Sequence, residues 1–422
     1  MTAISLPSPV QSALRSWAER MRERADLPLA IAWGDAPEQQ LRLGRTEPRV
    51  RVRLRQPAAV AALLAPSFDT LGQAYVEGQI DLDGAVPDIM DVAWRLSEAG
   101  EQAQSEQKGG GLLGRIARHL GQAVSHSKQS DKEAIQYHYD VSNEFYAQWL
   151  DPAMVYSCAY FETGQETLAE AQTKKIDHIL TKLRLEPGQT LLDIGCGWGA
   201  LVLRAAEKFG ARCVGITLSQ NQHDLAVERV RAAGLQDRIE IRLQDYRDVK
   251  GPFDRISSVG MFEHVGLKNL PGYFRIVHDL LAPGGWALNH GITSTDPDNA
   301  ETSYGGGRFI DRYVFPQGEL PHIGTVLTTM QQGGLEAVDV EGLRRHYART
   351  LSFWSEAFEA HTAQIKPLVD ERRWRIWRVY LIGCQWAFEQ DEISLFQVLC
   401  RRAGQTPDAQ PWSRRWMYQN PA

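Results

Sequence analysis

The sequence is poor in cysteine, in long apolar runs and in excess positive charge. Its five cysteines are widely spaced and form no CxxC pair, which argues against a disulfide framework and a structural zinc site and favours a reducing cytoplasm. No metal site is therefore expected. No apolar run approaches the roughly 18 residues of a membrane-spanning helix, and no basic-then-apolar signal pattern is present. A net charge of −6 gives no indication of a nucleic-acid partner.

The first hundred residues have the pattern of a small α+β domain. Apolar residues at helical spacing predict an amphipathic first helix. Three strand-like runs follow at Leu29–Trp33, Gln40–Leu43 and Arg49–Arg55. Residues 101–132 combine a polar stretch that ends in three glycines with a second amphipathic helix, Leu113–Val124. We therefore place an N-terminal domain at residues 1–100 and a linker at residues 101–132.

Residues 133–422 have the pattern of an α/β domain. Apolar runs alternate with longer helical patterns, which predicts a doubly wound, mostly parallel sheet with helices on both faces. The predicted strands are Thr190–Ile194, Arg212–Ile216, Ile239–Leu243, Arg255–Val259 and Gly285–His290. An insertion rich in Gly, Asp and Asn at residues 291–322 is typical of a lid or binding loop. Residues 343–422 are predicted to be helical.

The most informative local feature is the segment LLDIGCGWG at residues 191–199. A buried strand runs into a turn with alternating glycines, which let the backbone turn tightly and a ligand come close. GxGxG alone could also serve a dinucleotide, but its spacing differs from the GxGxxG fingerprint. The segment resembles the first motif of Rossmann-like, class I S-adenosylmethionine (SAM) methyltransferases. The second strand lacks the acidic residue that many of them use for the ribose, so Thr217, Ser219 and Gln222 would supply neutral hydrogen bonds.

Further segments narrow the resemblance to one family. They are HYDVSN (138–143), YSCAYF (156–161), MFEHVG (261–266), YVFP (313–316) and GC (383–384), in order with LDIGCGWG and GITLSQNQ. Together they resemble the cyclopropane-fatty-acid synthase family, which includes the mycolic-acid cyclopropane synthases, over roughly residues 133–402. The segment GQAYVEG (72–78) resembles the extra N-terminal domain of phospholipid-acting members, which favours a phospholipid substrate.

The resemblance implies a reaction and the residues that perform it. The alkene of an unsaturated acyl chain attacks the sulfonium methyl group of SAM, and a base then removes a proton from the new methyl group so that a cyclopropane ring closes. The family uses bound bicarbonate as that base. The implied bicarbonate contacts are Cys158, Glu263, His290, the backbone of Ile292 and Tyr347. The implied SAM contacts are Tyr156, Ser157, Asp193, Gly195, Cys196, Gly197, Thr217, Leu218, Ser219, Gln222, Gln244, Asp245 and Tyr246.

Several alternatives remain open at this point. Cys384 matches a cysteine once assigned as catalytic in relatives, but an alkene needs no thiol nucleophile, so Cys384 is also interpreted as part of the pocket wall. A methyl branch or a methylene group would arise from the same carbocation as the ring. A lipid-binding protein with a vestigial catalytic domain is a further hypothesis, against which the intact set from Cys158 to Tyr347 argues.

The expected partner is the membrane lipid. Arg49, Arg51, Arg53 and Arg55 alternate with apolar residues and therefore share one strand face. This face is either a solvated surface or a phosphate-facing patch on an anionic membrane, and the Arg/Trp run at residues 372–378 permits the same two interpretations. We expect a cytoplasmic homodimer that associates peripherally with the cytoplasmic membrane and takes unsaturated phospholipid acyl chains at its inner surface.

Overall fold

The computed structural model describes residues 4–107, 141–297, 306–314, 319–404 and 410–418. The chain divides into two compact units, of which the first combines residues 1–124 with residues 301–314 and 370–386. This division adds two distant segments to the predicted N-terminal domain. The predicted helix Leu113–Val124 lies outside the described residues, and so do His138, Tyr139 and Asp140.

The first unit is built on a four-stranded sheet with the order β2-β1-β3-β4. Its strands are β1 (Leu29–Ala32), β2 (Gln40–Arg42), β3 (Val50–Leu54) and β4 (Ile80–Asp83). Its helices from the N-terminal segment are α1 (Ser8–Arg24), α2 (Ala59–Leu64), α3 (Phe68–Val76) and α4 (Val86–Gln107). The three predicted strands and the first helix are confirmed. In β3 the apolar residues at alternate positions are buried, as the period of two requires.

The arginine face of β3 is matched by carboxylates of the same unit. Three of the four arginines form ion pairs, namely Arg49–Asp88 at 2.6 Å, Arg53–Asp35 at 3.7 Å and Arg55–Asp81 at 2.5 Å. Nearby negative charge reduces the potential that an anionic surface would meet. The face therefore has a lower positive potential than its sequence indicates.

The insertion contributes a helix, Gly306–Tyr313, to the first unit. This helix contacts the segment 72–78 through three pairs, Phe309 with Gly72, Arg312 with Gln73 and Tyr313 with Glu77. A Cβ atom on Gly72 would lie 2.9 Å from the Phe309 ring, so the close approach requires a glycine. The role expected for this insertion, a lid that caps the channel for the acyl chain, stays a prediction.

The Arg/Trp run near the C-terminus also makes contacts inside the first unit. It lies on the C-terminal helix, Glu371–Glu389. Arg375 forms an ion pair with Asp81 at 2.7 Å, and its guanidinium lies 4.8 Å from the centre of the Tyr75 ring. Arg372 pairs with Glu77 at 3.0 Å. Both arginines therefore have partners inside the first unit.

The second unit is built on a seven-stranded sheet with the order β10-β11-β9-β8-β5-β6-β7. Its strands are β5 (Thr190–Ile194), β6 (Arg212–Thr217), β7 (Ile239–Leu243), β8 (Phe253–Val259), β9 (Leu281–Ser294), β10 (Leu335–Gly342) and β11 (Ile393–Arg402). The pairs among β5 to β9 are parallel, whereas β11 is antiparallel to both of its neighbours. The predicted doubly wound, mostly parallel sheet is confirmed.

Helices cover both faces of this sheet. The α-helices described in this unit are α5 (Asn143–Ala147), α6 (Leu168–Lys182), α7 (Ala200–Phe209), α8 (Gln220–Ala232), α9 (Leu270–Leu280), α10 (Ile323–Gln332), α11 (Arg344–Ala360) and α12 (Thr362–Ile365). Leu191 and Leu192, neighbours on β5, are both fully buried but belong to two different apolar clusters. Because successive strand residues point to opposite faces, the sheet has an apolar core on each side.

The prediction of helix throughout residues 343–422 was wrong for β11. This strand lies between β9 and β10 and is buried along almost its whole length. A strand covered on both faces has a continuous apolar run without alternation, and such a run resembles a buried helix in sequence. The error matters because β11 pairs with the end of β9 that contains His290 and Ile292.

Candidate active site

The glycine loop after β5 has the backbone conformation that its glycines predict. Gly195, Gly197 and Gly199 have φ angles of +83°, +54° and +85°, a region that residues with a side chain seldom adopt. The Gly195 N–H donates to the carbonyl of Ile216 at 3.0 Å, which holds the loop against β6. Helix α7 begins directly after Gly199.

A pocket opens at this loop, at the carboxyl ends of β5, β6 and β8. Ligands of open α/β sheets bind at such strand ends. The SAM contacts implied by the resemblance all line this pocket, with the exception of Ser219. Ser219 caps α8 instead, because its hydroxyl oxygen accepts a hydrogen bond from the Gln222 N–H.

Two polar groups of the pocket are held by neighbours. The Thr217 hydroxyl lies 2.7 Å from Oε1 of Gln222; with the hydroxyl as donor, the Gln222 amide keeps its N–H2 group for another partner. Asp193 is buried at the end of β5 and accepts a hydrogen bond from the Ser257 hydroxyl at 2.7 Å. Burial raises the pKa of Asp193 to about 6, against the effect of that hydrogen bond.

Lys175 is a pocket residue that the sequence analysis missed. It lies on α6, is 2% exposed, and donates a hydrogen bond to the Ser157 hydroxyl at 2.6 Å. Burial lowers its pKa to about 8. The sequence contained a signal, because Lys175 lies four residues from both Ala171 and Ile179 on the buried stripe of the helix. A lysine is almost never fully buried unless it is paired.

The structure brings Glu263 and Ile292 together. The Ile292 N–H donates to Oε1 of Glu263 at 2.7 Å, while Oε2 of the same carboxyl is buried and has no hydrogen-bond partner among the described residues. Burial raises the pKa of Glu263 to about 7, although the Ile292 N–H opposes this. A buried carboxyl with one open oxygen and a pKa near neutrality is suited to holding a ligand or a proton.

His290 lies two residues before Ile292 on β9 and is 1% exposed. Its Nδ1 lies 3.2 Å from Nε2 of Gln397 on the paired strand β11. Its buried Nε2 has no hydrogen-bond partner in the part of the chain that the structure describes. The N–H of Gly260, a residue that lines the pocket, donates to the His290 carbonyl at 2.8 Å. His290 therefore borders this pocket.

Cys158 and the backbone of Tyr347 both contact Leu343. The Cys158 sulfur lies 3.8 Å from the Leu343 carbonyl, to which the Tyr347 N–H donates at 3.1 Å. The Leu343 N–H donates to the carbonyl of Leu395, which pairs with Ile292 across the sheet. Burial raises the pKa of Cys158 far above its ordinary value, so its thiol is neutral. Leu343 is thus connected to the strand that pairs with Ile292, and the shared site of the five implied bicarbonate contacts stays a prediction.

Cys384 lies on the part of the C-terminal helix that belongs to the first unit. Burial raises the pKa of its thiol to about 12. The thiolate is the nucleophilic form of cysteine, and almost none is present at neutral pH. This chemistry agrees with the interpretation that Cys384 is not a nucleophile, and its place in the site stays a prediction.

Solved structures define the class of this protein. Mycolic acid cyclopropane synthase CmaA1 complexed with SAH and CTAB matches with a TM-score of 0.62 and 38% identity, over 64% of this chain and 98% of that one. Coclaurine N-methyltransferase bound to N-methylheliamine and SAH matches with a TM-score of 0.61 and 23% identity, over 79% and 99% of the two chains, and shows the fold alone. The chain therefore has the fold of SAM-dependent methyltransferases.

Sequence comparison defines the family. The family described as mycolic acid cyclopropane synthetase matches residues 126–398, and a domain of unknown function matches residues 16–105. A probable fatty acid methyltransferase of Pseudomonas putida is 44% identical over 93% of this chain and 96% of the relative. Cyclopropane mycolic acid synthase 1 of Mycobacterium tuberculosis is 39% identical over 64% of this chain and 96% of the relative. The chain belongs to the mycolic acid cyclopropane synthetase family, and it is a SAM-dependent methyltransferase.

Proposed function

We propose that this enzyme transfers the methyl carbon of SAM to the double bond of unsaturated phospholipid acyl chains and closes a cyclopropane ring. One observation supports the proposal above all others. Oε2 of Glu263 and Nε2 of His290 are buried without a partner among the described residues, and both residues adjoin residues that line the SAM pocket. Unpartnered buried polar atoms are costly, and ring closure requires polar groups that act on a proton next to the methyl donor.

The chemistry explains why these groups are buried. The alkene electrons form a bond to the methyl carbon, and the electrons of the broken C–S bond return to sulfur. The new methyl group then loses a proton, and the electrons of that C–H bond close the ring. Water would trap the intermediate carbocation, so the site has to exclude it. Aromatic faces can stabilise the cation, and Tyr347 lies in an aromatic group with Trp354 and Phe388.

The residues present fit a bicarbonate ion, which would supply the proton acceptor when bound. His290 can donate from Nε2, and Glu263 can accept from the hydroxyl group of the ion. The neutral thiol of Cys158 lies 3.2 Å from the Ala159 carbonyl and would donate to the ion only after rotating away from it. Ile292 fits less well as a direct contact, because its N–H already donates to Glu263. Its N–H instead fixes the orientation of that carboxyl.

The phospholipid substrate is proposed from the first unit. The mycolic acid synthase aligns with 64% of this chain, whereas the Pseudomonas putida relative aligns with 93% and so extends into the N-terminal segment. The segment 72–78 in this unit resembles that of phospholipid-acting enzymes, and it forms contacts with the insertion helix.

We also propose that a homodimer binds the cytoplasmic face of the membrane peripherally. No helix in the described part of the chain is long and apolar enough to cross a bilayer. Because most arginines of the β3 face are paired, the segment Leu113–Val124, which lies outside the described residues, is the better candidate contact. Replacing Arg115 and Arg118 with Gln should weaken co-sedimentation with anionic vesicles more than replacing Arg49 and Arg55.

A second candidate product is a methyl-branched or methylene-bearing acyl chain. It is favoured by the 44% identity to a probable fatty acid methyltransferase. Incubation of the purified enzyme with SAM and unsaturated phospholipid vesicles, followed by mass spectrometry, separates the products. A gain of one CH2 without a hydrogenatable double bond supports the ring. A hydrogenatable product of the same mass supports a methylene group or a methyl branch beside a retained double bond. No change in any acyl chain contradicts the proposed function.

A further inference from the structure

Three buried polar side chains of the second unit form a row that ends at His290. Lys182, at the end of α6, is fully buried, and its ammonium lies 3.1 Å from Oε1 of Gln397. Its other partners are the carboxylates of Glu341 and Asp339. Gln397, on β11, is fully buried as well, and its Nε2 lies 3.2 Å from Nδ1 of His290.

Lys182 sets the direction of the hydrogen bonds in this row. An ammonium group has three donors and no acceptor, so the Gln397 amide must turn its oxygen toward Lys182. The reverse orientation would place the amide N–H2 against the ammonium without a bond between them. The N–H2 group therefore faces His290, whose Nδ1 accepts the hydrogen bond and holds no proton.

A neutral imidazole with an unprotonated Nδ1 has its hydrogen on Nε2. We infer that Lys182, acting through Gln397, holds His290 in the Nε2–H tautomer, so that His290 is a hydrogen-bond donor in the site and not the proton acceptor. Lys182 and Gln397 are thus positioning residues. The inference rests on the proposed function for the role of the donor, whereas the tautomer is a property of the folded chain itself.

The surroundings of His290 favour the neutral ring. Burial lowers its pKa well below the ordinary value, and the ammonium groups of Lys175 and Lys182 and the imidazole of His178 lower it further, whereas Glu341 opposes them. Protonation of Nδ1 would also place an N–H against the N–H2 group of Gln397. The Nε2–H is left without a partner among the described residues, and the oxygen of a bound anion would accept from it.

This tautomer assigns the proton transfer to another group. An imidazole that has its hydrogen on Nε2 has no lone pair at that nitrogen with which to remove a proton from the new methyl group. The acceptor is therefore the carboxylate of Glu263 or an anion bound beside it. His290 stabilises whichever negative charge receives the proton, as a donor fixed in advance does in other enzymes.

The tautomer is measurable without any activity. In full-length protein labelled with 15N-histidine, long-range proton–nitrogen correlations distinguish protonated from unprotonated ring nitrogens, and His290→Asn assigns the signals. We expect a proton on Nε2 and none on Nδ1 in the wild type. Gln397→Glu retains the shape but replaces the N–H2 group with an acceptor, and should place a proton on Nδ1. Gln397→Met, which has neither donor nor acceptor, should give a mixture of tautomers.

A proton on Nδ1 in the wild type, or a tautomer that Gln397→Glu leaves unchanged, overturns the inference. If a variant fails to fold, the wild-type spectrum by itself still tests the inference. Failure of the proposed function would give a different result. The lipid would stay unmodified, while His290 in the wild type would still have the expected proton on Nε2.

Activity tests the role of the donor. Gln397→Glu should lower kcat by about 10²-fold, the usual cost of one lost preorganised donor, with little change in SAM affinity measured by calorimetry. His290→Gln provides an amide N–H near the former Nε2 but no basic nitrogen, so it should retain more activity than His290→Phe. Equal loss in these two His290 variants would contradict the role as a donor.

Discussion

The buried carboxyl of Glu263 leads to a quantitative prediction about folding stability. Its pKa rises on folding from 4.5 to about 7, and a pKa difference of one corresponds to about 1.36 kcal/mol. The folded state therefore favours the protonated carboxyl. The contribution of the Glu263 carboxyl to the free energy of unfolding is fully present below pH 4.5. It is lost as the pH rises through 7, and the total loss is ~3 kcal/mol.

Glu263→Gln removes the ionisable group and keeps an oxygen that can accept from the Ile292 N–H. The variant should match the wild type in stability near pH 4.5 and exceed it by up to ~3 kcal/mol at pH 8, which corresponds to a Tm increase on the order of 5 °C. The same variant should lose about 10²-fold or more in methyl transfer, because it removes a group that acts on the charge developed in the reaction. SAM affinity should change little, since the pocket contacts lie elsewhere.

Thermal unfolding of both proteins between pH 4.5 and pH 8, in buffer stripped of carbon dioxide, measures this difference. Glu207→Gln is the matched control, because Glu207 is an exposed residue of α7, and its substitution should change stability by no more than about 0.5 kcal/mol at any pH. A stability difference between wild type and Glu263→Gln that is constant across this pH range would refute the reasoning. So would a variant that is more stable and retains full activity.

Three further variants test the pocket and the first unit. Gly197→Ala should weaken SAM binding, measured by calorimetry, at least tenfold, because Gly197 lines the pocket at positive φ. The control is Gly188→Ala, which should bind SAM normally because Gly188 has a positive φ in a turn outside the pocket. Lys175→Met should stabilise the protein below pH 8 by up to ~3 kcal/mol in chemical unfolding, because the folded pKa of Lys175 is depressed to about 8. This gain in stability should vanish as the pH approaches 10.5, the ordinary pKa of lysine. A gain that does not depend on pH would contradict the prediction. Gly72→Ala should destabilise the first unit by about 1–3 kcal/mol and expose the insertion helix to protease, because its Cβ would meet the Phe309 ring. Gly383→Ala is the control, because its Cβ would enter open space beside a helix and should cause neither effect. Equal protease resistance in the two variants would exclude the clash.

The parts of the fold that depend on local pattern could be predicted from the sequence. The strand and glycine turn at residues 190–199 form as their pattern indicates, because a buried strand and positive φ angles impose requirements that few residues meet. Strand β11 could not be recognised, since burial on both faces removes the alternation by which strands are identified.

The partners of charged side chains could not be predicted, because they come from distant parts of the chain. The β3 arginines alternate as a strand face should, but the carboxylate of Asp88 that neutralises Arg49 lies on α4. Lys182 was not recognised as a positioning residue, because it contacts His290 through Gln397. Gln397 lies 215 residues after Lys182 in the sequence. Local pattern thus located the pocket, whereas the polar network behind it required the folded chain.

The most direct test of the account is the mass of acyl chains in cells that express the wild type or Glu263→Gln. We predict that the wild type adds one CH2 to unsaturated phospholipid chains and leaves no hydrogenatable double bond at that position. Cells with Glu263→Gln, at equal protein level and with SAM binding intact, should show a much smaller amount of this product. Wild-type cells without any such chains, or equal product in both strains, would contradict the central claim.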